Sequence, residues 1–200
     1  HTPPGPSADH GGPDTPGYLA GLDIPAVYVD PDSWAWDAAI SRIKKHFVFY
    51  CDQFAAYDQT YLYFSDEVRN DRRIDQEALE AAVVEELLKF DGVSLAVSSS
   101  ALRQGKLPDT DLYRPVINNF NAKRSGEVFV VFEPNWFIND MEGLTVASTH
   151  GSPWRYDTYV PIVFAGMGLE PRTVDRRVQT VDVAVTLSTF MDIKPPSGSA

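Results

Sequence analysis

Apolar and polar positions along this chain fall into short blocks of helical and of strand-like character. From Ile74 to Phe90, Ala78, Leu79, Ala82, Val83, Leu87 and Phe90 recur at helical spacing, acids fill the polar face, and Asp91-Gly92 stops the run. It is the clearest helix in the sequence. A second helix is predicted from a cap at Asp32 or Ser33 to about Lys45, with Trp36, Ile40 and Ile43 on one stripe and Lys44-Lys45 near its negative end. Shorter helices are predicted over Asp14 to Leu22, where Pro16 suits the first turn, and over Val181 to Met191, before Pro195-Pro196. Strand-like runs are Ala26 to Val29, Phe47 to Tyr50, Tyr61 to Phe64, Val93 to Val97, Glu127 to Glu133 and Tyr159 to Ala165. Arg103 to Asp111 reads as a polar loop. Strands and helices alternate, so a layered α/β arrangement is the predicted class.

Composition narrows the functional classes. Over 200 residues, 44 % apolar and 22 % charged content is enough for a sizeable core. Lys plus Arg number 17 against 28 Asp plus Glu, for a net charge of −11. That balance argues against non-specific nucleic-acid binding and against docking on anionic membranes, since both need a basic surface. The longest apolar stretch, Thr158 to Leu169, falls short of the ~20 residues of a membrane helix and is broken by Pro161 and by glycines. Cys51, the single cysteine, excludes an intramolecular disulfide and a zinc site built on cysteine pairs. Residues 1–6, His1-Thr2-Pro3-Pro4-Gly5-Pro6, form a proline-rich leader or an artificial scar. With no initiator Met and no signal-like segment, the sequence reads as a mature piece or an excised fragment.

Histidine chemistry must come from His1, His10, His46 or His150. His46 falls in the last turn of a helix, where an imidazolium favours the dipole, and is read as structural. Asp9-His10-Gly11-Gly12 places a carboxylate beside an imidazole. In an extended backbone the two point to opposite faces, so they share a metal only where the chain turns, and Gly11-Gly12 supplies a turn. Oxygen plus nitrogen donors suit zinc; an ordinary polar turn is the competing reading. Thr149-His150-Gly151-Ser152-Pro153 puts His150 in a small-residue turn, with a plain surface or core histidine as the alternative. Ser98-Ser99-Ser100 has no histidine base nearby in sequence, and Arg72-Arg73 reads as a solvated face from which one arginine could reach a phosphate. No Walker-type or dinucleotide glycine loop is present.

Four segments follow one another in order: Ser7-Ala8-Asp9-His10-Gly11-Gly12; Arg124-Ser125-Gly126-Glu127-Val128 leading into Pro134; Ser148-Thr149-His150-Gly151-Ser152-Pro153-Trp154-Arg155-Tyr156-Asp157-Thr158-Tyr159-Val160-Pro161; and Val181-Asp182-Val183-Ala184-Val185-Thr186-Leu187. Together they resemble the C-terminal part of the alkaline phosphatase superfamily. The branch resembled is the type I phosphodiesterase/nucleotide pyrophosphatase group, with its single-chain bacterial alkaline phosphatases. The resemblance implies an α/β/α layered sheet, incomplete here because the N-terminal half is missing. It also implies a two-zinc hydrolase of phosphate mono- or diesters, periplasmic or secreted. In that family a threonine or serine attacks phosphorus, and a metal-activated water cleaves the phospho-enzyme.

Carried onto this chain, Asp9 and His10 match the paired ligands of the metal that binds the nucleophile, and His150 matches a ligand of the other metal. The family's nucleophile, an upstream aspartate and a further Asp/His pair all precede the Asp-His-Gly motif, and only eight residues precede Asp9. Residues 7–200 are therefore expected to be the C-terminal part of a catalytic domain, with no nucleophile and no activity of their own. Tyr159 and Val185 stand where a histidine and a proline are common; neither change removes a ligand. Open sheet edges should favour association with the missing half of the polypeptide or with another copy. The alternative is a non-enzymatic binding or structural module that kept the fold, although such a module has no chemical need for Asp9, His10 and His150 together.

Overall fold

The computed structural model describes residues 8–47, 54–58, 60–141, 144–166 and 168–197. They fall into a larger unit, Gly12–Asp157, and a smaller one drawn from both ends of the sequence, His1–Gly11 and Thr158–Ala200. In chain order the elements are α1 (Pro16–Ala20), β1 (Val27–Tyr28), α2 (Trp36–Ile43), β2 (Phe54–Asp58), β3 (Tyr61–Phe64), α3 (Asp66–Asn70), α4 (Gln76–Leu87), β4 (Val93–Ser98), α5 (Ser99–Arg103), α6 (Tyr113–Asn119), β5 (Val128–Phe132), β6 (Trp136–Phe137), β7 (Asp140–Met141), β8 (Leu144–Thr145), α7 (Arg155–Thr158) and α8 (Asp182–Phe190). Among the described residues no helix is long and apolar enough to cross a membrane. The class is mixed α/β.

The larger unit is organised by a four-stranded sheet of order β2-β3-β5-β4, antiparallel at every pairing. All five residues of β5, Val-Phe-Val-Val-Phe, are buried. Alternation along a strand sends them to two faces. Val128, Val130 and Phe132 pack with Leu62 and Phe64 of β3 against Leu79, Val83 and Leu87 of α4 and Ala39 and Ile43 of α2. Phe129 and Val131 pack with Tyr61, Val97 and Val116 of α6 on the other face. Helices thus cover both sides of the sheet, as the layered reading requires. Separate from it, β1 pairs in parallel with β6, and β7 with β8 antiparallel.

Local chemistry explains where the elements begin and end. The Asp75 carboxylate caps α4 by accepting the Ala78 N–H at 3.1 Å, and Gly92, at φ +85, turns the chain out after it. A Cβ at Gly126 would lie 2.6 Å from the Leu62 carbonyl oxygen, so glycine permits the close approach of β5's entry to β3. Two acids expected on the polar face of α4 are in fact buried, Glu80 at 2 % and Glu86 at 8 % exposure. Each has its own donors. Arg42 of α2 reaches Glu86 at 2.6 Å, tying α2 to α4, and Lys89 reaches the same carboxylate at 2.9 Å.

Two predicted elements need correction, and one falls largely outside the described residues. The helix expected from Asp32 or Ser33 begins only at Trp36, because residues 31–33 form a separate turn in which Asp30 Oδ1 accepts the Asp32 N–H at 3.0 Å. Trp34 stacks on Phe90 (4.8 Å between ring centroids) and Trp36 meets the same ring edge-on (4.9 Å). Residues two apart on one helix face away from each other, so both contacts require the break between them. The run Tyr159 to Ala165 is not a strand: Tyr159 is 77 % exposed and Val163 49 %. Only Ile162 makes a β-bridge, which does not extend into a ladder, and Pro161 has no N–H to donate to one. Of Phe47 to Tyr50, residues 48–50 lie outside the described residues, as do Cys51 and the leader 1–6; β2 lies further on.

Glu86 gives the fold a specific acid sensitivity. Hydrogen bonds from Arg42 hold its carboxyl at about 2, below the ordinary 4.5, despite an opposing push from burial. The folded state therefore binds fewer protons than the unfolded one, and the stabilisation present above about pH 4.5 is lost as pH falls towards about 2. Because Arg42 is 45 % exposed, solvent screens the pair and the effect is modest. Thermal melts across this window should show a shallower pH dependence for Glu86→Gln than for wild type; parallel curves would refute the coupling.

Candidate functional site

Asp9 and His10 lie in the smaller unit, just before Gly11. The backbone turn does what an extended segment cannot. Asp9 Oδ1 accepts the His10 N–H at 3.1 Å and lies 3.8 Å from His10 Nε2. The other ring nitrogen, Nδ1, is 2.6 Å from the Gly11 carbonyl, which can only accept, so Nδ1 carries the proton and the neutral ring has its lone pair at Nε2. A backbone carbonyl on the second nitrogen is the usual way a metal-ligating histidine is fixed. Zinc bonds of about 2.0–2.2 Å let one ion touch donors 3.8 Å apart, so the pair fits as part of a ligand set. It is not a whole one: among the described residues no three His, Cys, Asp or Glu side chains group as a metal site.

His150 belongs to the larger unit and is exposed at the surface of an anchored loop. Upstream, Tyr28 donates its hydroxyl to the Ala147 carbonyl at 3.0 Å and Ser148 donates to the Pro13 carbonyl at 2.6 Å. Gly151 takes φ +109, a conformation that favours glycine. Downstream, Ser152 donates its N–H (2.7 Å) and its hydroxyl (2.6 Å) to one oxygen of the buried Asp157. Trp154 Nε1 donates to the Phe132 carbonyl at 2.9 Å, and the Asn135 N–H donates to the Tyr156 hydroxyl at 3.1 Å, fastening the loop to the end of β5. Burial pushes the Tyr156 phenol above its ordinary value.

Other sequence candidates turn out to be committed elsewhere. Ser98 caps α5, and Ser99 donates to the buried Glu80 at 3.0 Å, so the serine triplet is structural. Arg73 forms an ion pair with Asp71 at 2.6 Å, which holds that carboxyl at about 2. The roles of Ser152, Tyr156 and Asp157 had no sequence signal beyond their place in the histidine-bearing segment.

No family model matches the chain. It is 30 % identical over 193 residues to a Myroides odoratus protein named calcium-transporting ATPase. It is 27 % identical over 198 residues to alkaline phosphatase PhoV of Synechococcus elongatus, and 26 % over 195 to alkaline phosphatase PafA of Elizabethkingia meningoseptica. Each match covers 96 % of this chain.

The chain resembles alkaline phosphatases across nearly its whole length.

The crystal structure of wild-type PafA superposes on 98 % of this chain with a TM-score of 0.78 at 24 % identity, which establishes the fold. The chain spans about a third of the length of these relatives, 33–34 % of the sequences and 36 % of the PafA structure.

Proposed function

We propose that residues 7–200 are the C-terminal part of a zinc-dependent hydrolase of phosphate mono- or diesters acting in the periplasm or outside the cell. The observation that supports this best is the match to alkaline phosphatases along 96 % of the chain. In this reading Asp9 and His10 ligate one zinc ion and His150 the second. The remaining ligands and a threonine or serine nucleophile come from a larger upstream part. When bound, zinc supplies Lewis-acid stabilisation of charge on the phosphate oxygens. The chain's own residues prepare the donors: the Gly11 carbonyl fixes the His10 tautomer, and the contacts of Ala147, Ser148 and Ser152 hold the loop that presents His150.

In this reading the 200-residue chain by itself turns over p-nitrophenyl phosphate negligibly, because the nucleophile that opens the covalent route lies upstream of it. It should also bind zinc weakly, since three ligands shared between two positions fall short of the ~3–4 per ion in ordinary sites. Extended through its native upstream reading frame, the protein should show zinc-stimulated hydrolysis that His150→Ala lowers by about 100-fold or more. Activity in the 200-residue chain that His150→Ala abolishes would overturn the division into parts. An extended protein that hydrolyses nothing would favour the binding-module reading instead.

A further inference from the structure

We propose that Asp157 is the positioning residue of the His150 loop, its buried carboxylate clamping Ser152 and so setting the direction of the candidate ligand two residues upstream. This rests on the reading of His150 as a ligand. Asp157 is 5 % exposed, yet both of its mapped acceptor contacts come from a single residue: the Ser152 N–H at 2.7 Å and the Ser152 hydroxyl at 2.6 Å, both to Oδ2. The Asp157 N–H returns to the Trp154 carbonyl at 3.0 Å, which closes the turn on itself. Oδ1 is also buried, and among the described residues none donates to it.

A carboxylate buried with half its acceptor capacity unused is costly, and closing a turn does not need one; a neutral amide oxygen accepts the same two donors. What the charge adds is stiffness, because hydrogen bonds to an ionised acceptor are roughly twice as strong as neutral ones. Stiffness at Ser152 matters for its neighbour. Between the two lies Gly151 at φ +109, where even a Cβ would meet nothing within 4 Å, so packing of that residue does not fix the backbone. The direction of His150 then follows from the backbone anchored on either side: Ala147 and Ser148 upstream, Ser152 downstream. Partners that orient a ligand in this way typically carry ~10–100-fold in metal affinity.

The test is a Zn2+ titration of the protein extended through its upstream reading frame, followed through the NMR signals of the selectively labelled His150 ring and through hydrogen exchange of the Ser152 amide. Asp157→Ala should raise the zinc concentration for half-maximal shift about 10–100-fold and release the Ser152 amide. Asp157→Asn, which keeps an acceptor for both donors but removes the charge, should fall between wild type and Asp157→Ala. If Asp157→Ala fails to fold, Ser152→Ala removes the hydroxyl donor alone and should shift the titration in the same direction. A His150 ring that moves identically in wild type and in Asp157→Ala overturns the positioning role and leaves the ligand assignment standing. A His150 ring that zinc does not move in wild type overturns the ligand assignment, and the positioning role falls with it.

Discussion

Phe64→Ala should destabilise the larger unit by about 3–5 kcal/mol, the usual cost of emptying a phenylalanine site in a close-packed core. Phe64 is 1 % exposed at the end of β3. Its ring faces Phe54 of β2 at 5.8 Å between centroids and joins the cluster of Val68, Leu79, Val83 and Val130. Those neighbours come from both a strand face and a helix face, so they cannot collapse into the space without shifting α4 against the sheet. The backbone N–H of residue 64 still donates to Glu127 after the substitution, so the change tests packing alone. The transition of this unit should fall by roughly 10 °C, and the urea midpoint should drop at constant slope. A loss below about 1 kcal/mol would mean that this face of the sheet is not close-packed.

Glu80→Ala should cost roughly 2–4 kcal/mol for a different reason. The Glu80 carboxylate, 2 % exposed, accepts the Ser99 hydroxyl at 3.0 Å and the Ser100 N–H at 2.7 Å, with Arg103 4.0 Å away. Alanine leaves the buried Ser99 hydroxyl and the half-buried Ser100 N–H at the start of α5 without their acceptor. Arg103 is 46 % exposed and rehydrates, so most of the loss sits on the serine side. Glu80→Gln keeps an acceptor oxygen and should be clearly milder. A second readout follows from Glu127. Burial pushes the Glu127 carboxyl above its ordinary value, and the charge of Glu80 adds to that push against the pull of Arg69 and the Phe64 N–H. In Glu80→Ala the Glu127 carboxyl should therefore titrate lower than in wild type, measurable on its side-chain carbon by NMR. An unchanged titration would mean that the two buried acids do not sense each other.

Elements whose signal is local were legible. The stripe from Ala78 to Phe90 and the β-branched run around Val128 stand out because burial on one helix face or on both strand faces leaves a periodic trace. The short helices α3 and α5 have no period to read at five residues each, although their serine caps, Ser65 and Ser98, were there to be seen. The break between Trp34 and Trp36 was hidden because it depends on Phe90, far along the chain. Tyr159 to Ala165 misled for the converse reason: apolar alternation records what a segment is suited to pair with, whereas here the pairing stops at one bridge, at Ile162. At the site, Asp9, His10 and His150 stood out by residue type beside glycine. Ser152 and Asp157 did not, because a clamp of one serine by one carboxylate looks like any polar loop until the turn between them is seen to close.

The larger unit is one unbroken stretch, while the smaller one is assembled from the two ends of the sequence. During synthesis this imposes an order of events. The sheet can close as soon as β5 has emerged, since β5 lies between β3 and β4 and their pairing runs through it. The segment bearing Asp9 and His10 leaves the ribosome before the larger unit, yet it must wait for residues beyond Thr158 before its own unit can assemble. Asp9 and His10 are thus made before the sheet and placed after it, and a chain cut short after Asp157 would carry a finished sheet and an unassembled Asp9–His10 pair.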